Sequence, residues 1–324
     1  MNSNILTLPQ LTAEALFHVE QDKSVREDDK QAVTPLKGIV LAGGRAPAAA
    51  WLRELGQLYG LRRCDGDAQG SAGKQASAAD CLDGQGALHS SCCKNSDDTQ
   101  SNFDRQKNTS ACLNMQGGWK AGSCKNGRTL LYCADRGTQY ALAAGLAPQL
   151  IVGDGDSAAA DVYERALALG AALERYDPAK DDTDLQLLLA KLPAADIIAS
   201  GVWGGRFDHL YSAVFSLLGW KKKQLQCGRR CRVLLADERE VMLLLEAGES
   251  CKVKFKAPKL VQAVSLLPLS ADAAADIAGV RWPLNNAALR QSYPYAISNE
   301  LAAGAEGFTA GCRCGSIGVY ISFK

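Results

Sequence analysis

The chain has 324 residues, 47% of them hydrophobic, and a formal net charge of +1. That length can hold two domains with real cores, and the near-zero charge removes the electrostatic case for nucleic acid or an acidic membrane as partner. No apolar run approaches the ~20 residues that cross a bilayer, and the twelve cysteines do not form the paired CxxC spacing of a zinc site.

Residues 1–36 lack both the basic start and the apolar core of a signal peptide, and they are too acidic for an organelle transit sequence. They read as a mobile tail with a short helix near 13–19, and the expected location is the cytoplasm, where most cysteines stay free thiols. Residues 37–44, KGIVLAGG, read as a first strand ending in a glycine turn that can bring backbone N–H groups near a phosphate. A helix over 46–59 follows, with Trp51, Leu52, Leu55 and Leu58 on one face. From 63 to 126 the chain is rich in Gly, Ser, Asp, Asn, Gln and Cys and has almost no aliphatic periodicity, so it reads as a disordered insertion.

Order returns with a strand at 129–134, ending at Asp135, and a helix over 137–146. Leu150-Ile151-Val152 is a short buried strand that Gly153 breaks, and Asp154 and Asp156 follow two residues apart. A helix over 161–169, a strand over 171–176, a helix opened by Asp181-Asp182-Thr183-Asp184 and a strand over 195–200 come next. After the last of these stand Gly204-Gly205-Arg206-Phe207-Asp208-His209, where glycines permit close backbone approach and Arg206 can fork onto phosphate oxygens. The next helix ends near Lys221-Lys222-Lys223, a solvated helix end or linker. Beyond residue 224, strand-like runs at 232–235, 240–245, 251–255, 260–266 and 316–322 predict an antiparallel sandwich or barrel. The predicted architecture is α/β: an open, mainly parallel nucleotide domain over 37–223, then an all-β sandwich over 224–324.

Asp135, Asp154, Asp156, Asp184 and Asp208 recur beside strand ends or helix starts of one alternating domain, and in such a fold these places face the same edge of the sheet. One acid in a helix's first turn is a routine cap; acids at several separate turns suit Mg²⁺, which shares its shell with water and phosphate oxygens. The pattern points to metal-assisted chemistry on a polyphosphate.

Six segments in order then make the sequence recognisable: CADRG at 133–137, IVGDGDS at 151–157, KDDTDL at 180–185, GGRFDH at 204–209, GVRWPL at 279–284 and ISNE at 297–300. Together they resemble the thiamin pyrophosphokinase family, its bacterial branch most closely. The resemblance implies an α/β nucleotide domain followed by a β-sandwich, working as a homodimer with its active site near the interface. It implies transfer of a pyrophosphoryl group from ATP to the hydroxyethyl oxygen of thiamin, giving thiamin diphosphate and AMP, with Mg²⁺. By position, Asp154, Asp156 and Asp184 correspond to the acids around the metal and triphosphate, Asp135 and Asp208 to further active-site acids, and Ser298 and Asn299 to thiamin contacts. Trp282 has the chemistry to face the thiazolium cation, although core packing is its expected role. Three positions depart from the family pattern: Arg136 replaces the first of two glycines, Gln139 a common asparagine, and Gly155 a frequent phenylalanine. The alternatives are a pyrophosphokinase for another heterocyclic alcohol, such as a hydroxymethylpterin, and a non-catalytic nucleotide- or thiamin-binding regulator.

Overall fold

The computed structural model describes residues 7–10, 36–64, 114–116, 129–155, 159–193 and 195–324. The expected helix near 13–19, most of the Cys-rich segment, and Asp156 and Ser157 lie outside the described residues.

Strands β1 (Leu36–Leu41), β3 (Leu130–Ala134), β4 (Leu150–Gly153) and β6 (Ala195–Ser200) are mainly apolar runs, with Lys37 and Asp196 as charged exceptions, and most of their residues are buried. Such runs suit strands covered on both faces, which is how parallel sheets occur. With β5 (Ala172–Arg175) and β7 (Val233–Ala236) they align in parallel in the order β7-β6-β1-β3-β4-β5. One face is covered by α1 (Ala49–Tyr59), α2 (Gly137–Ala143) and α3 (Ala160–Ala168), through Trp51, Leu52, Leu55, Ala141 and Tyr163. The other face is covered by α4 (Asp184–Lys191) and α5 (Phe207–Gln226), through Leu185, Leu188, Leu217 and Trp220. Leu58, expected on the inner face of α1, is exposed, and Gly56 is buried instead because its missing side chain lets Leu146 pack close.

The expected break at 223/224 is a change of strand direction, not of sheet. Strand β7 runs parallel to β6 and antiparallel to β8 (Glu240–Glu246), and β14 (Ser316–Phe323) and β10 (Val261–Pro268) continue the same sheet. The result is one ten-stranded sheet, β10-β14-β8-β7-β6-β1-β3-β4-β5-β2, where β2 is Asn114–Gln116. A second sheet, in the order β12-β11-β13-β9, contains β9 (Ser250–Lys254), β11 (Asp272–Ala278), β12 (Leu284–Arg290) and β13 (Gly307–Cys314). It packs on the antiparallel end of the first, and the sandwich interior is continuous with the core under α1 to α3.

Two further expectations need correction. Within 63–126, β2 (Asn114–Gln116) pairs antiparallel with β5 as an edge strand, so the insertion returns to the fold before β3. Within the N-terminal tail, Leu8 is fully buried, the Thr7 backbone exchanges hydrogen bonds with the Tyr59 hydroxyl, and the Trp51 indole donates to Gln10.

The lysine run is also different from its expected solvated end. Lys221 is 2% exposed, and its ammonium lies 2.9 Å from the Glu249 carboxylate and 2.7 Å from the Cys231 carbonyl oxygen. Glu249 in turn accepts from the Glu246 backbone N–H. This buried pair pins the C-terminal part of α5 to the β8–β9 turn. Lys221→Met leaves a buried carboxylate unpaired and is expected to cost about 3–5 kcal/mol; Lys221→Met with Glu249→Gln should recover most of it. Urea midpoints of the two variants check this, and equal midpoints would remove the pair from the stability account.

Candidate active site

Strands β3 and β4 are parallel neighbours with Cys133 opposite Ile151 and Ala134 opposite Val152. The residues that follow each strand therefore emerge at one edge, at the carboxyl ends of the strands. Asp135 follows β3, and its N–H continues the ladder to the Val152 carbonyl at 2.9 Å. It holds φ 41°, a left-handed conformation that aspartate tolerates better than most residues. Asp154 follows β4 after Gly153, where a Cβ would stand 2.9 Å from the Asp135 Cβ. The missing side chain is what lets the two acids approach. Gly155, with φ 83°, then turns the chain away in a conformation suited to glycine.

Asp184 comes from the other direction, as the first residue of α4. Thr183 caps that helix and forms a capping box with Gln186. A neutral residue thus meets the capping need, and the Asp184 carboxylate is left to point at the cluster. Ligand oxygens of Asp135, Asp154 and Asp184 all lie within 4.8 Å of one another. Charges at that spacing repel by about 3–4 kcal/mol per pair at an effective dielectric constant near 20, so the arrangement needs a cation.

Part of that need is met inside the chain. The Lys180 ammonium, 6% exposed, lies 3.0 Å from Asp154 Oδ2 and 2.9 Å from Asp184 Oδ1. The ammonium is thus shared by the two carboxylates, with a hydrogen bond to Asp154. Burial, with the Asp154 and Asp135 charges, holds the Asp184 carboxyl above its ordinary value despite the opposing pull of Lys180. Asp135 is oriented by the Tyr163 hydroxyl from α3, which donates to its Oδ1. Burial and the bond to Asp135 push the Tyr163 phenol up, so it stays a donor. Among the described residues these acids are the one group of three metal-capable side chains brought together. An all-oxygen, anionic, partly exposed set fits Mg²⁺ and leaves positions for water and phosphate oxygens. Lys180 and Tyr163 had no assigned role from sequence. The lysine opens the KDDTDL segment and stands four residues before Asp184, but neither feature placed it against the acids.

The remaining candidates sit elsewhere on the same molecule. Arg206 and Asp208, at the start of α5 beyond β6, pair with each other, and both side chains are largely exposed. Arg206 holds the Asp208 carboxyl below its ordinary value. In the first glycine turn, the N–H groups of Ala42, Gly44 and Arg45 are taken up by backbone carbonyls. They donate to the Ser200, Gly201 and Trp203 oxygens at 2.8, 2.6 and 2.6 Å, closing the β1 and β6 turns onto each other. A Cβ on Gly44 would meet the Gly201 oxygen at 2.6 Å.

Ser298 and Asn299 lie between β12 and β13. Ser298 is exposed with φ 59°, and its N–H donates to Ser265 Oγ at 3.0 Å. Asn299 pairs with Val264 through its backbone, while its carboxamide clasps Trp282, accepting from the N–H at 3.1 Å and donating to the carbonyl at 2.7 Å. Trp282 is 52% exposed, which overturns the core role expected for it, and the Arg281 guanidinium lies 4.7 Å from its ring centroid.

Residues 122–228 match the family model for the thiamin pyrophosphokinase catalytic domain, and residues 250–312 match that for the thiamin pyrophosphokinase vitamin B1 binding domain. A curated thiamine pyrophosphokinase of Bacillus subtilis is 31% identical over 177 residues, 53% of this chain and 78% of that protein. A crystal structure of thiamine pyrophosphokinase from Bacillus subtilis superposes with a TM-score of 0.54 at 20% identity, covering 89% of this chain and 99% of that one. Yeast thiamin pyrophosphokinase gives 0.53 at 11% identity, covering 90% and 87%; at these identities the two structures speak for the fold alone. With both domain matches in chain order and a relative covered over most of its length, the chain belongs to the thiamin pyrophosphokinase family.

Proposed function

We propose that this protein transfers the pyrophosphoryl group of ATP to the hydroxyethyl oxygen of thiamin, releasing thiamin diphosphate and AMP. The observation that carries the reading is the convergence of Asp135, Asp154 and Asp184 within 4.8 Å at the edge of the parallel sheet, in a chain that matches both domains of the family. Asp154 and Asp184, together with Asp156, hold Mg²⁺ in this proposal. The metal, when bound, neutralises charge on the phosphate oxygens and so favours attack on the β-phosphorus. The chain's own work is positioning. Tyr163 fixes Asp135, Gly153 admits the close approach of two acids, and Thr183 frees Asp184 from capping. Arg206 and Asp208, across β1 from the acids, are proposed nucleotide contacts.

Thiamin is placed at Ser298, Asn299 and Trp282, although the Asn299 carboxamide reaches it indirectly, by holding Trp282. Trp282, Tyr293, Tyr295 and Ile297 are exposed around Ser298, and Phe207 and Tyr211 are exposed on the first turns of α5. Such apolar surface supports burial against a second copy, in a homodimer whose active site lies near the interface. The cytoplasm is the proposed location, supported by the free thiols of Cys133, Cys227, Cys231, Cys251, Cys312 and Cys314; no helix among the described residues is long and apolar enough to cross a membrane. Mass spectrometry after incubation with ATP, Mg²⁺ and thiamin should find thiamin diphosphate and AMP. Phosphorylated hydroxymethylpterin without thiamin diphosphate, or binding without AMP release, would overturn the assignment.

A further inference from the structure

We propose that Lys180 is a resident counter-ion that the divalent cation displaces, so that metal uptake and lysine release are a single exchange. This rests on the reading of the acid cluster as the metal site. Its grounds are geometric. The ammonium is bound between Asp154 and Asp184, two of the three acids, at 3.0 and 2.9 Å, where a cation shared by both would also stand. It is almost fully buried there, so it has left water for the cluster. The two carboxylates share it at nearly equal distances, and a lysine ammonium is a compact point charge on a flexible stem that can leave such a position. Asp135 is served separately, by Tyr163.

Two cations cannot share one pair of carboxylates at these distances without strong repulsion. When a divalent ion arrives, the four-carbon stem of Lys180 lets the ammonium swing out. It stays attached to the loop before α4, beside the sheet edge where a polyphosphate would lie, and phosphate oxygens then become its partners. The lysine keeps three like charges together before the metal comes, and adds a positive charge to the nucleotide afterwards.

The test uses the full chain without nucleotide. Mn²⁺ binding is followed by electron paramagnetic resonance in the wild-type protein, in Lys180→Met and in Lys180→Arg. With the competing cation gone, Lys180→Met should bind Mn²⁺ about tenfold more tightly, while Lys180→Arg stays near wild type. The metal-free melting temperature of Lys180→Met should fall, and saturating Mg²⁺ should raise it by more than in wild type. A second measurement needs no variant: reaction of Lys180 with an amine-labelling reagent, read by mass spectrometry, should speed up several-fold when Mg²⁺ is added. Equal or weaker Mn²⁺ binding by Lys180→Met, or labelling unchanged by Mg²⁺, overturns the exchange while leaving the metal site standing. Absence of Mn²⁺ binding in every protein overturns the metal reading itself, and the exchange with it.

Discussion

Asp154→Asn is expected to lower turnover roughly a hundredfold or more, by analogy with removal of one preorganised charge-stabilising group, while leaving the folded state almost as stable as before. The two halves of that result have different causes. Asp154 is one of three acids with oxygens within 4.8 Å, and its charge is both a cost and a gain. Removing it relieves repulsion against Asp135 and Asp184 and forfeits the 3.0 Å contact with Lys180. These terms are each worth several kcal/mol at an effective dielectric constant near 20, and they largely oppose each other, so the net change in stability should stay within about 2 kcal/mol. Asn preserves the volume, so no cavity adds to it. Turnover has no such cancellation, because an amide oxygen is a poorer partner for Mg²⁺ than a carboxylate. Steady-state kinetics with ATP and thiamin, paired with urea unfolding, read both quantities. Turnover within about threefold of wild type would remove Asp154 from the metal site, and a collapse in stability would make it a structural residue instead.

The same geometry shows why this site could be read in the sequence at all. A short apolar strand followed by glycine and aspartate places the acid at a strand's carboxyl end, and parallel neighbours put such ends together; Asp135 and Asp154 meet for that reason. Asp184 was harder, because an acid at the start of a helix is ordinarily a cap, and only the structure assigns capping to Thr183. Lys180 belonged to a recognised segment, KDDTDL, but nothing in that segment shows which carboxylates it faces. Its role depends on a loop folding back over β4, which periodicity does not encode. Lys221 was misread for a related reason: a lysine looks solvated until its partner, Glu249, arrives from another element.

The fold was legible wherever strands are apolar throughout, and less so elsewhere. Strand β11 reads DAAADIA, whose alanines give little contrast between its two faces, and β12 reads LNNAALR, which is mostly polar. Both lie in the smaller sheet and were missed, together with β13, while β9 in the same sheet was found. The continuity of the large sheet across residue 224 was hidden as well. Whether β7 joins β6 is a matter of pairing between distant segments, and a run of apolar residues does not name its neighbour.

Gly137→Ala, at the first residue of α2, sets two local rules against each other. Helix propensity favours alanine over glycine by about 0.5–1 kcal/mol in a helix interior. Packing opposes it, because a Cβ on Gly137 would stand 2.1 Å from the Leu41 carbonyl oxygen and 2.6 Å from its carbonyl carbon. Both are backbone atoms of β1, in the centre of the sheet, and they cannot rotate away as a side-chain tip could. Helix α2 would have to shift by about an ångström, and overpacking of this kind typically costs 1–3 kcal/mol or somewhat more, so the clash outweighs the propensity. The shift would also carry Asp135, two residues upstream, away from Asp154, so turnover should fall with stability. Arg136, beside it, has φ −55°, so its backbone suits any residue; the two positions differ in the space available to a side chain. Gly219→Ala is the matched control. It lies in the middle of α5 with nothing within 4 Å of the new methyl group, and there the propensity term acts alone, raising stability by about 0.5–1 kcal/mol. Urea midpoints should therefore move in opposite directions for the two substitutions. A Gly137→Ala protein as stable and active as wild type would mean that α2 is not seated on β1 as described, and the placement of Asp135 would fall with it.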